Sequence, residues 1–114
     1  MAYDEDLADR IRELLAADTA MSEQRMFGGL AFLIEGNMSV AASGQGGLLV
    51  RVDPATASEL VDGVDVTPMV MRGREMRGWL NVTADAVRSA DRLEAWVTRG
   101  VSYARTLPAK PKRR

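Results

Sequence analysis

"MFGGLAFLIEGNM", residues 26–38, decides how this chain is read. A double glycine, Gly28-Gly29, precedes a short apolar run, and Gly36-Asn37 follows it. Two glycines ahead of such a run have two physical uses. Their backbone N–H groups can cradle a phosphate if the next element is a helix, or they can let the chain bend if the next element is a strand. A P-loop needs Gly-x-x-x-x-Gly-Lys-Ser/Thr running into a helix, whereas "LAFLI" is a run of strand formers with no lysine nearby. Gly44-x-Gly46-Gly47 also leads into a strand-like run, "LLVRV", and Gly-x-Gly-x-x-Gly opening a helix does not occur. The glycines therefore predict backbone geometry. Gly28-Gly29 lets Met26 and Phe27 turn into a first hairpin, whose reversal is set by Gly36-Asn37, with Met38 opening the next strand.

Outward from this stretch the periodicity changes. On its N-terminal side Leu7, Ile11, Leu14 and Leu15 fall on one helical stripe over residues 4–17, with Asp4 as cap and acidic residues in the first turn. "ADTAMSEQ" connects that helix to the hairpin region. On the C-terminal side "MSVAAS" and "LLVRV" complete a three-strand antiparallel meander, reversed by Gly44 to Gly47. Asp53 or Pro54 starts a short helix with Ala57, Leu60 and Val61 on its apolar side, ended by Gly63. "VTPMVM" and "RGWLNVT" are strand-like around an exposed turn, and Pro68 marks the first as an edge strand. Leu93, Trp96, Val97, Val101 and Ala104 restore helical spacing from about Ala90, with Ser89 or Thr83 as cap. The order α-β-β-β-α-β-β-α predicts an α+β two-layer sandwich with a mainly antiparallel sheet.

The chain has 114 residues, 46% of them apolar and 27% charged, which suits a single soluble domain. Residues 1–107 form that domain, and 108–114 read as a flexible basic tail, with two prolines and no apolar anchor. The tail's last five residues carry four positive charges, leaving 11 basic against 16 acidic residues in 1–109, a net of −5. No apolar run approaches the ~18 residues that span a bilayer, and the acidic start "MAYDEDLADR" lacks the pattern of a signal peptide, so a cytoplasmic location is expected.

Composition excludes much chemistry. With no cysteine and no histidine, the chain has no thiolate, no imidazole base and no nitrogen ligand of the kind zinc sites use. The acidic groups Asp4 to Asp6, Glu59, Asp62 and Asp65 lack the spacing of a calcium loop, and helix-start charge accounts for the first of them. We therefore expect no catalytic, cofactor-binding or metal-binding residues and no enzyme activity. Arg51, Arg72, Arg74 and Arg77, beside Trp79, are the candidate contacts for an anion or nucleic acid, together with Lys110, Lys112, Arg113 and Arg114. In a strand Arg72 and Arg74 share one face and Arg77 takes the other, so solvated turn charge is the stronger reading. Met26, Met38, Met69, Met71 and Met76 gather around the strands. Thioethers suit adaptable surfaces, although filling gaps in a core is their commoner role.

Arg25-Met26-Phe27-Gly28-Gly29, then Gly36-x-Met38, then Leu49-x-Arg51-Val52, form an ordered set that resembles the TfoX N-terminal domain family, the amino-terminal module of the TfoX/Sxy competence regulators. The resemblance continues through "MRGREMRGWLNV" and "LEAWVTRGVSYARTLPAK". It implies an α-β(3)-α-β(2)-α two-layer fold similar to secretion chaperones, and Met26, Phe27, Gly28, Gly29, Gly36 and Met38 as fold-determining residues. It also implies a role in transcriptional regulation, although in two-domain members a helical second domain follows this module, where the present sequence reads as a basic tail. It transfers no catalytic residue.

The expected function is a non-enzymatic regulatory or protein-binding module that meets a protein partner, or a second copy of itself, through a sheet face or edge. The alternatives are nucleic-acid binding through Arg72, Arg74, Arg77 and the tail, and a small-ligand or catalytic site in a deep pocket.

Overall fold

The structure, a computed structural model, describes residues 3–26 and 28–109. The first helix, α1 (Glu5–Leu14), begins where the Asp4 carboxylate accepts the Leu7 N–H at 3.1 Å, with Glu5 and Asp6 in its first turn. Its Leu7, Ala8 and Ile11 are buried. Six strands follow in two groups: β1 (Met21–Met26), β2 (Gly29–Ile34), β3 (Asn37–Ala42) and β4 (Leu48–Arg51), then β5 (Val66–Met71) and β6 (Arg74–Val82). Between the groups lies the one-turn helix α2 (Ala57–Leu60), whose Ala57 and Leu60, with Val61 just beyond, pack against the core. A 3-10 turn at Ala86–Arg88, whose Ala86 N–H donates to the Thr83 hydroxyl, leads to α3 (Ala90–Arg105), capped by Ser89.

All pairings are antiparallel, and the sheet order is β1-β2-β3-β4-β6-β5. The α+β two-layer fold and its sequence of helical and sheet segments are those expected, and β5, carrying Pro68, is an edge strand as Pro68 required. The first group has four strands, one more than the three-strand meander read from the sequence. Residues 25–34 are two strands rather than one, because the chain reverses between Met26 and Gly29, which pair with each other. Gly28 supplies a φ of +78° there. The next reversal sits one residue earlier than Gly36-Asn37: Ile34 pairs with Asn37, and the two-residue loop is Glu35-Gly36, both at positive φ (51° and 82°). That is the type I′ geometry, whose twist matches its flanking strands. Asn37 is thereby a buried strand residue, and its Nδ2 donates to the Pro108 carbonyl at 2.8 Å.

Helices α1 and α3 cover one face of the sheet. Leu7, Ile11, Leu93, Val97 and Val101 meet Leu30, Phe32, Ile34, Val40, Val50, Leu80 and Val82 in one continuous core. The helix and sheet approach closely at Gly100 of α3, where a Cβ would lie 2.6 Å from the Ser39 carbonyl oxygen. Ser39 is the extra residue of a bulge, since Phe32 pairs with Val40 and Leu33 with Met38, and its hydroxyl donates to the Phe32 carbonyl at 2.8 Å. Ion pairs tie the helices to the periphery. Arg12 of α1 grips Glu23 of β1 through two bonds of 2.7 and 2.9 Å and also holds Asp9, and Arg105 of α3 pairs with Asp18. The Arg12 guanidinium is pushed above its ordinary range, first by the hydrogen bond to Glu23.

Candidate functional site

The face of the sheet opposite α1 and α3 has its own apolar cluster, built entirely by strands. Ala31, Met38, Ala41 and Leu49 are buried there, with Met26, Leu33, Met69 and Trp79 packed around them. Each of the six strands contributes at least one of these residues. Small side chains at the centre (Ala31, Ala41) and long flexible ones at the rim make this face hollow.

The hollow closes into a cleft of about 270 Å³ lined by Met26, Ala41, Leu49, Met69 and Met71, with Ser43, Gln45, Arg72 and Asn81 as its polar side. In a flat sheet the outer strands of a six-strand array stand about 24 Å apart. A cleft that touches Met26 on one outer strand and Met69 on the other therefore requires the sheet to curl. The device that curls it lies in β6. Pro68 pairs with Leu80 and Val70 with Glu75, so the single residue Met69 faces four, Met76 to Trp79. Gly78 sits in this bulge at φ +81°, and its carbonyl accepts the Val52 N–H at 2.7 Å. A Cβ there would lie 2.8 Å from the Val52 carbonyl oxygen, so the chain passes too close for any other residue. Beyond the bulge the tip of the β5-β6 hairpin, Met71 to Arg74, bends toward the β1-β2 turn. The sequence contained one sign of this, an isolated glycine in a strand-like run.

The four arginines near Trp79 do not share one cavity. Arg72 is at the hairpin tip with φ +54° and lines the cleft, while Arg74 opens β6 and is exposed. Arg77 is in the bulge, where it lines a separate groove of about 300 Å³ between α2 and β6. The Arg51 guanidinium lies 5.5 Å from the Trp79 ring centre and 5.9 Å from that of Tyr103, within reach of both π faces. Among the described residues the ion pairs use Arg12, Arg88, Arg92 and Arg105 and none of these four. Lys110, Lys112, Arg113 and Arg114 lie outside the described residues, as does Phe27. Of the other motif residues, Met26 and Gly29 line the cleft, Met38 lies beneath it, Gly28 is in the turn beside it, and Gly36 is in the β2-β3 turn.

Acidic groups do not gather into a site. Asp65 receives the Thr83 hydroxyl at 3.0 Å and the Arg92 guanidinium at 3.4 Å. The Asp62 carboxylate accepts the N–H groups of Val66, Val64 and Asp65 at 2.8–2.9 Å, and these bonds, Val66 first, lower its pKa below the ordinary value of 3.8. Among the described residues no three acidic side chains stand close enough to hold a metal ion. No helix among them is long and apolar enough to cross a membrane.

Sequence reasoning found the methionines but not their meeting, because Met26 and Met69 are brought together only by the curl of the sheet. Leu49 and Asn81, which line the same cleft, stood in the sequence within the stretches that carry the family resemblance, with nothing there to mark them as cleft residues. Compared with known families, the chain matches the TfoX N-terminal domain over residues 13–104. No curated protein matches it.

Proposed function

The chain belongs to the TfoX N-terminal domain family, and from that premise we propose that it is a non-enzymatic regulatory module that binds a protein partner on the hollow face of its sheet. The observation that carries this reading is the convergence of Met26, Met69 and Met71 from opposite edges of the sheet onto one cleft. Flexible thioethers repack around differently shaped apolar side chains, which suits a surface that receives a protein segment. At about 270 Å³ the cleft lies below the ~300–1,000 Å³ usual for small-molecule sites, so it fits one or two anchoring side chains better than a whole metabolite. Its polar side, Arg72 with Asn81 and Gln45, would pair with the backbone or an acidic group of the docked segment. Such a module would act in transcriptional regulation by engaging another protein rather than by reading DNA itself. Nucleic-acid binding is the weaker reading because Arg72 and Arg77 line separate cavities, whereas tracking a phosphate backbone needs the cations in one stripe.

Methyl NMR on methionine-labelled protein tests this reading, with fractionated cell extract as the titrant. Met26, Met69 and Met71 are expected to shift or broaden together, while Met76, which lines the other groove, stays in place. Changes at Met76 alone would assign binding to the α2 groove instead.

A further inference from the structure

The two edges of the sheet are not alike. The β5 edge is blunted by Pro68 and by the bulge opposite Met69, both of which obstruct pairing with another strand. The β1 edge has neither. Its six residues pair with β2 in unbroken register, and Ser22 to Arg25 are exposed. The Ala20 carbonyl accepts the Glu35 N–H at 3.0 Å, and Met26 pairs with Gly29 across the turn. In an antiparallel ladder this alternation directs the backbone groups of Ser22, Gln24 and Met26 toward β2. Those of Glu23 and Arg25 therefore point outward, where no strand among the described residues meets them.

We infer that β1 is a self-pairing edge: two copies of the chain join β1 to β1 in antiparallel fashion about a two-fold axis through Gln24, with Glu23 of each opposite Arg25 of the other. The register follows from charge. Outward-pointing residues must face each other, which leaves three registers centred on this segment. One sets Glu23 against Glu23, a second sets Arg25 against Arg25, and only the third sets Glu23 against Arg25 twice. Directly opposed like charges destabilise a strand pair and opposite charges stabilise it, so the third is selected. It also makes four backbone hydrogen bonds from the outward groups of Glu23 and Arg25. The interface is isologous, as a two-fold contact must be.

Glu23 is already prepared for this role. Arg12 holds both its oxygens and Asp9 holds Arg12 at 2.6 Å, so the incoming Arg25 would extend an alternating row Asp9, Arg12, Glu23, Arg25 across the junction. Both Glu23 and Arg25 stand on the side of the sheet that carries α1, since they pair with Phe32 and Leu30 of the helix-covered core. The result is a twelve-strand sheet with two hollow faces. The inference concerns an edge and not the open face, so it stands or falls separately from the proposed function.

Sedimentation equilibrium of the full chain tests it, on the wild type, Arg25→Glu, Glu23→Arg and an equimolar mixture of the two variants, with thermal melts as the folding control. The wild type should self-associate at concentrations up to about 1 mM, more weakly as salt rises. Arg25→Glu should weaken association about tenfold or more. The mixture should restore it, because one variant then presents two acidic side chains along the edge and the other presents two basic ones. Arg25 makes no ion pair within the described chain, so its variant remains informative if Glu23→Arg, which also loses the Arg12 contact, folds poorly. In that case the restoring partner is a chain carrying Arg12→Ala and Glu23→Arg together. A wild type that stays monomeric throughout, an Arg25→Glu protein that associates as well as wild type, or a folded mixture that fails to associate would each overturn the inference.

Discussion

Gly29 lies so close to the carbonyl oxygen of Ala42 that no Cβ fits between them. The first residue of β2 is thus fixed by contact with β3, while its neighbour Gly28 is fixed by its left-handed backbone conformation, with open space where a Cβ would sit. The two glycines of the opening motif do different work, and two substitutions separate them. Gly28→Ala should cost about 1–2 kcal/mol, the strain of a left-handed non-glycine residue. Gly29→Ala should cost more, about 3 kcal/mol, because backbone must move at a paired strand. Urea unfolding measures both, and the reverse order would contradict the account.

Gly100→Ala reverses the usual helix rule. Alanine in a helix interior is worth about 1 kcal/mol over glycine, yet here the methyl would press on the Ser39 carbonyl at 2.6 Å and on Val40 Cγ1 at 2.8 Å. Net destabilisation of about 1–3 kcal/mol is expected by denaturant titration.

Arg12→Ala should lower stability by about 0.5–1 kcal/mol, since the pair with Glu23 is bidentate but partly exposed. Arg12→Lys should recover less than half of that, because an ammonium cannot grip both oxygens. Raising the salt concentration should shrink the difference between wild type and variant, measured by the same unfolding curves.

Asp62 gives the acid limb a specific contributor. Its pKa is lowered in the folded chain, so its contribution to stability is fully present above 3.8, the ordinary value, and is lost as pH falls through the lower folded value. Asp62→Asn keeps an oxygen for the three N–H groups but removes the titration. The variant's stability should therefore depend less steeply on pH below 4 than that of wild type, as read from thermal melts across pH.

Much of the fold was legible because its local signals agree with one another. Asp4 and Ser89 cap the helices that their spacing predicts, and Pro68 lies on an edge. The strand β1 was not legible. Its residues Ser22 to Arg25 are exposed to solvent, so no apolar alternation marks them, and only their pairing with β2 makes them a strand. The β2-β3 turn was displaced by one residue because Glu35 takes a positive φ that sequence statistics reserve for glycine and asparagine. The cleft was out of reach for a different reason. It depends on Gly78 and the unequal pairing around Met69, a long-range geometry that no period in the sequence encodes.

The claim that the hollow face is the working surface is tested most directly by photocrosslinking in cells. A photoreactive amino acid at position 69, in the cleft, is compared with one at position 102, exposed on α3. A discrete protein adduct is expected from position 69 and none from 102. Adducts from 102 with none from 69 would contradict the claim.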